Sequence, residues 1–207
     1  MLLTRDQMAD IVGELSARDD RLANVIRRHP LCTLAQRAPE TSHFAALVES
    51  VISQQLSVKA ADTIFGRVRS LVDGEVTPER MVVITQAQMR EAGVSGAKFK
   101  TIHGLAEAAI SERVNVERLH ELDDDAVISQ QLTSLWGVGR WTVDMFMLGQ
   151  LGRLDVWPTG DVGVRRGWEK IYGLTQPISA VALQSDGDKF SPYRSVVAWY
   201  CWREGDA

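Results

Sequence analysis

The sequence predicts an all-α protein. Apolar residues recur at spacings of three and four through most of the chain, and Ser, Thr or Asp stands ahead of most such runs. No stretch shows the apolar–polar alternation of a strand, and no Gly-x-Gly-x-x-Gly follows one.

Taken in order, residues 4–17 and 19–28 read as two helices, with Thr4 and Asp19 or Asp20 as caps and Pro30 as a stop. Thr41 and Ser42 can cap a third, whose stripe is Phe44, Leu47, Val48, Val51 and Ile52. It ends in Ser53-Gln54-Gln55-Leu56-Ser57, and Ser57 can cap the next helix, closed near Gly74. Pro78 opens a short helix, Gln86 to Glu91 form another, and Ser95 precedes one with Ile102, Leu105, Ala106 and Ala109 on its apolar face. Asp123, Asp124 and Asp125 can cap a helix carrying Leu132 and Leu135. Gly137-Val138-Gly139 breaks it, and a new helix starts near Arg140 with Trp141, Met145 and Leu148 on one face. Pro158 and Gly160 keep the following stretch non-helical up to Asp161, where another helix begins at about Val162. Residues 185–189 read as a polar loop before a last helix opened by Pro192 and carrying Ser195, Trp199 and Trp202.

The 207 residues are 45% hydrophobic with a formal charge of −4, enough to fill one medium domain or two small lobes. That charge argues against a broad electrostatic grip on nucleic acid. Local binding remains open, because hairpin amides and helix N-termini hold phosphates without net charge. Lys98, Lys100, Arg140, Arg153, Arg165 and Arg166 are candidates for a basic patch or plain solvated charges. Cys32 and Cys201 form no Cys-x-x-Cys, so free thiols are expected. His29, His43, His103 and His120 share no ligand spacing, so no catalytic metal is expected. With no leader-like start and no membrane-length apolar run, a cytoplasmic protein is expected.

A Gly-x-Gly hairpin alone fits two ordinary helices as well as a phosphate seat. Likewise Gln54-Gln55 can be a polar turn or can supply an amide to fill a gap in a base stack, and Asp161 can be an N-cap, a reactive carboxylate or both.

The segment from Leu135 through Gly137-Val138-Gly139-Arg140-Trp141-Thr142 to Asp144, followed by residues 155–161, resembles the helix-hairpin-helix, Gly/Pro loop and aspartate of base-excision DNA glycosylases. Within that superfamily it is most similar to the 3-methyladenine DNA glycosylase II family, a likeness that extends through residues 44–57, 93–98 and 191–195 and covers roughly 40–203. The resemblance implies two helical lobes with a DNA-binding cleft between them: one of about residues 40–115 with the wedge loop, the other of about 116–207 plus the N-terminal helices. Asp161 is implied as the catalytic carboxylate and Trp141, Trp202, Met145 and Phe44 as the base pocket. Gln55 is implied as the wedge, with Leu56 as second choice. Gly137, Val138, Gly139, Arg140 and Thr142 are implied as the phosphate-binding hairpin, and main-chain carbonyls of Thr133, Leu135 and Val138 would hold a sodium or potassium ion. No other cofactor is implied.

The implied partner is double-stranded DNA with alkylated bases of the 3-methyladenine and 7-methylguanine type, bound by a monomer in a bacterial-type cytoplasm, at the nucleoid. An N-alkylated purine leaves as a neutral base, so one carboxylate suffices where glycoside hydrolases need two. Aromatic faces suit such a cation, and Trp136, Trp157 and Trp168 are assigned to packing. Lyase-active relatives carry a lysine at the position of Trp141, and some carry a four-cysteine cluster; this chain has neither. Hydrolysis that leaves an abasic site is therefore expected. The chain departs from some relatives in Met145 and in Gln55, and the N-terminal β-rich domain that some relatives carry is not expected in 207 residues. A catalytically silent DNA binder and a helical protein-interaction module are the competing readings.

Overall fold

A computed structural model describes residues 2–36 and 38–206. Among them are twelve α-helices, two 3-10 turns and no strand. In chain order the helices are α1 (Arg5–Arg18), α2 (Asp20–Arg28), α3 (His43–Ser53), α4 (Val58–Leu71), α5 (Pro78–Val82), α6 (Gln86–Glu91) and α7 (Gly96–Ile110). They continue as α8 (Asp125–Thr133), α9 (Arg140–Gly149), α10 (Val162–Tyr172), α11 (Ala180–Gly187) and α12 (Arg194–Asp206), with 3-10 turns at Val116–Glu121 and Asp188–Phe190. None of the described helices is long and apolar enough to cross a membrane.

The expected caps form. Thr4 makes a reciprocal capping box with Gln7, and Asp19, Ser42, Ser57, Ser95, Asp124 and Asp161 each accept a first-turn amide. Residues 185–189 differ from expectation. They are the end of α11 and a 3-10 turn, because Ser179 caps the helix and Leu183 and Phe190 are fully buried beneath the polar residues.

The chain divides by contacts into two units, one of Pro39–Phe146 and one of the remaining N- and C-terminal residues. The boundary expected near 115 lies instead within α9, so residues 116–146, hairpin included, belong with the loop at 53–57. One amide links the two segments directly: Gln54 Nε2 donates to Gly137 O at 3.2 Å and to Thr142 Oγ1 at 2.8 Å.

The 39–146 unit packs α3 against α4 and α7, with Phe44, Leu47, Val48, Val51 and Ile52 all buried. Burying each such side chain is worth about 1.5–3 kcal/mol. Glu117, on the first 3-10 turn, accepts the amides of His43 and Phe44 and so satisfies the start of α3.

In the other unit α10 packs along α12 with α2 alongside. The approach of α10 to α12 requires glycine: a Cβ on Gly167 would overlap the Cys201 carbonyl. Trp168 contacts Trp157, Tyr172 and Phe190 in the same core.

Candidate functional site

In the unit formed by the chain ends, the loop from Arg153 to Asp161 is held from several sides. Ser195 Oγ donates to Arg153 O at 2.7 Å and accepts the Val156 amide at 2.9 Å. Trp157 is buried and donates its indole N–H to Leu183 O at 2.9 Å. Asp155 takes the Arg194 guanidinium at 2.8 Å on each carboxylate oxygen. Burial works to raise the Asp155 pKa, but Arg194 and Ser191 outweigh it and hold it below the usual carboxylate range. Asp155 is thus committed to a structural ion pair that pins the loop to the start of α12.

This loop delivers Asp161 to the first turn of α10. Its Oδ1 accepts the Val164 amide at 2.9 Å and the Trp202 indole N–H at 2.8 Å. The cap and the reactive-carboxylate readings are therefore compatible, since the same oxygen that caps the helix is fixed by an aromatic donor from α12. Asp161 and Trp202 are both half-buried. Gly163 permits the pairing, because a Cβ there would lie 2.8 Å from Trp202 Cδ1. The sequence reading missed Gly163; the signal was its spacing of four from Gly167, which puts both glycines on one ridge of α10.

In the 39–146 unit the hairpin between α8 and α9 has exposed Gly137, Gly139 and Arg140 around a buried Val138. Gly137 takes a φ of +79°, and a side chain there would overlap Thr101 Oγ1 on α7. The turn presents its backbone and the start of α9 at the surface, an arrangement suited to an anion. Thr142 is buried, its hydroxyl used by Gln54, so any contribution it makes to a phosphate is through its backbone. Arg140 pairs with Asp144 at 2.6 Å. Burial pushes the Asp144 carboxyl above its ordinary pKa and Arg140 partly offsets this.

Gln54 ties the 53–57 loop to this hairpin, and Lys98 ties the same loop to α7 by donating to Ile52 O at 2.9 Å and Gln54 O at 2.8 Å. Lys98 is therefore a brace at the C-terminal end of α3, where carbonyls lack helical partners, rather than a member of an exposed basic patch. Beyond Gln54, Gln55 is exposed and adopts a left-handed φ of +58°, rare for a residue with a side chain. Leu56 beside it is also exposed.

On α9, Trp141 and Met145 are half-buried one turn apart, while Thr142, Val143, Asp144 and Phe146 between and after them are buried. The two thus share an accessible stripe. Phe44 does not join them: it is 1% exposed, and its ring belongs to the core of its unit rather than to a surface offered to a base. Trp136 also departs from expectation, because it is exposed instead of packed; Trp157 and Trp168 are buried as expected. Among the described residues no group of three His, Cys, Asp or Glu side chains could hold a metal.

Residues 48–189 match the HhH-GPD superfamily of base excision DNA repair proteins. The DNA-3-methyladenine glycosylase 1 of Schizosaccharomyces pombe is 32% identical over 162 residues, spanning 77% of this chain and 71% of that protein. Among solved structures, the S. pombe 3-methyladenine DNA glycosylase in complex with abasic DNA is similar with a TM-score of 0.88 at 28% identity, over 94% of this chain and 95% of that one. The DNA-3-methyladenine glycosidase of Bacillus halodurans is similar with a TM-score of 0.80 at 35% identity, over 94% of this chain and 88% of that one.

Proposed function

The chain belongs to the HhH-GPD superfamily of base excision DNA repair proteins, and from that premise we propose that it is a monofunctional DNA glycosylase, excising alkylated purines of the 3-methyladenine and 7-methylguanine type from duplex DNA by hydrolysis. Its product is an abasic site. The observation that carries the reading is the fixed carboxylate: Asp161 Oδ1, held by the Val164 amide and the Trp202 indole N–H.

Breaking an N-glycosidic bond builds positive charge on the sugar. Two donors on one oxygen orient Asp161, so that its negative charge needs no reorganisation when that cation develops. The carboxylate also serves to direct a water to the sugar carbon. A purine alkylated on a ring nitrogen departs neutral, so a second carboxyl acid is not required. Trp141 and Met145, the accessible pair on α9, together with Trp202, are the side chains assigned to the base, where an aromatic face attracts a cation by about 0.5–2 kcal/mol. Position 141 holds no lysine, which supports hydrolysis without strand cleavage.

Flipping a base leaves a gap, and Gln55 is the residue assigned to fill it, with Leu56 beside it. The hairpin Gly137-Val138-Gly139 with the start of α9 holds a phosphate in this reading. In this reading the main-chain carbonyls of Thr133, Leu135 and Val138 are the groups that would hold a sodium or potassium ion; that of Leu135 accepts the Val138 amide at 3.1 Å and has a second lone pair to offer. When bound, such an ion adds positive charge beside the phosphate. The protein acts as a monomer in this scheme, in the cytoplasm on nucleoid DNA, with cationic purines preferred over neutral lesions.

The test is release of free bases from methylated duplex DNA by wild type and Asp161→Asn, followed by alkali. Methylated purines released by wild type alone, with breaks appearing only after alkali, is the expected result. If neither protein releases a base while both bind abasic DNA, the chain is a silent binder and the enzymatic reading fails.

A further inference from the structure

Trp136 stands at the turn between α8 and α9 with 56% of its surface exposed, while Leu135 and Val138 on either side of the turn are buried. Lys100 of α7 is exposed, and its Nζ lies 4.2 Å from the centroid of the Trp136 ring. The pairing does not depend on these two side chains alone. The next residues along each segment, Thr101 and Gly137, are in such close contact that a Cβ on the glycine would overlap the threonine hydroxyl. Backbone packing therefore sets Lys100 beside the turn, and the indole face gives its ammonium a defined seat.

An ammonium over an indole is attracted by the ring but not neutralised, and its outward hydrogens stay available. No carboxylate among the described residues pairs with Lys100. In a chain of net charge −4, a fixed uncompensated cation marks a place where an anion is attracted locally. An apolar protein partner would use the bare ring; here the cation lies over the ring, which favours an anionic one.

We propose that Lys100 and Trp136 form an additional phosphate-binding position beside the hairpin, with the Lys100 ammonium as ligand of a DNA phosphodiester and the Trp136 indole as the platform that fixes it. Trp136 directly precedes Gly137, a Cα–Cα step of about 3.8 Å, so the pair sits within reach of a phosphate neighbouring the one assigned to the turn. The inference rests on the DNA-binding reading above and adds to it a contact made by side chains.

The experiment is fluorescence anisotropy of a duplex carrying a tetrahydrofuran abasic analogue, titrated at several salt concentrations with wild type, Lys100→Met, Lys100→Arg, Trp136→Ala and the Lys100→Met/Trp136→Ala double variant. Loss of one phosphate contact makes the log–log salt slope shallower by about one unit. That is the expectation for Lys100→Met, with the wild-type slope kept by Lys100→Arg. Trp136→Ala weakens binding, and the double variant binds no worse than Lys100→Met, because the ring acts through the ammonium. A wild-type slope in Lys100→Met overturns the proposal, as does a Trp136→Ala loss that is undiminished in the Lys100→Met background. Wild-type protein that fails to bind the duplex removes the DNA-binding premise instead. Both residues are exposed, and melting temperatures verify that each variant is folded.

Discussion

The Trp202 indole N–H donates to Asp161 Oδ1 at 2.8 Å, joining the first turn of α10 to α12. The contact exists because three features coincide. The 153–161 loop is locked by Ser195 and Trp157; Asp161 is anchored as a helix cap; and Gly163 leaves room for the indole. Each can be altered separately, so the contribution of the hydrogen bond can be separated from that of the ring.

Trp202→Phe keeps an aromatic face and removes the donor. A hydrogen bond to a charged group contributes about 1.5–3 kcal/mol, so single-turnover excision should fall about 10- to 100-fold, while affinity for abasic DNA changes little. Gly163→Ala should act in the same direction without removing any polar atom, because its Cβ would lie 2.8 Å from Trp202 Cδ1 and so displace the indole from Asp161. Gly167→Ala supplies the contrast. There the collision is with the Cys201 main chain, so the loss should appear first in thermal stability, by about 1–3 kcal/mol. Unchanged excision in Trp202→Phe would show that the donor has no part in orienting the carboxylate.

The Arg140–Asp144 pair predicts a pH dependence of stability. Burial raises the Asp144 pKa in the folded protein, with Arg140 opposing that shift. A carboxyl with a raised folded pKa binds its proton more tightly when folded, so its contribution to stability declines as pH rises from the ordinary value near 4 through the folded pKa, and is flat above. Arg140→Met enlarges the effect by leaving the buried carboxylate without its cation. The variant should be less stable than wild type by about 1–2 kcal/mol at neutral pH, and the difference should shrink on acidification as Asp144 becomes protonated. Denaturant unfolding of both proteins across pH 4–7 would measure it; a difference constant over that range would contradict the assignment.

The helices were readable because capping and periodicity are local. Ser42, Ser57 and Asp161 announce their helices within three residues. The hairpin was readable too, since glycine is needed where φ is positive at Gly137 and Thr101 presses against it. What failed depended on partners distant in sequence. Lys98 looks like a solvated charge until Ile52 O and Gln54 O are seen beneath its ammonium. Residues 185–189 look like a loop because their polar side chains hide the burial of Leu183 and Phe190. For Phe44 the local evidence was the better guide: its place on the stripe of α3 indicated core, whereas the resemblance alone put it in the pocket.

The left-handed backbone at Gln55 connects the brace to the wedge. A side-chain-bearing residue at φ +58° is in a region that costs about 1–3 kcal/mol, and the surrounding contacts must hold it there. The Gln54 amide on Gly137 O and Thr142 Oγ1, and the Lys98 ammonium on Ile52 O and Gln54 O, are those contacts. Gln54→Ala and Lys98→Met should therefore impair the wedge more than the chemistry. Excision from a fully paired duplex should fall about tenfold or more, whereas excision of the same lesion opposite an abasic position, where extrusion is easier, should be nearly spared. Lys98→Met should leave the salt slope of DNA binding unchanged, because its ammonium is occupied by carbonyls. Gln55→Gly provides the control on strain: it relieves the backbone and deletes the wedge together, so the protein should melt no lower than wild type and yet lose activity on paired duplex. Equal losses on both duplexes in Gln54→Ala would instead place the defect in the catalytic step and dissociate the brace from base extrusion.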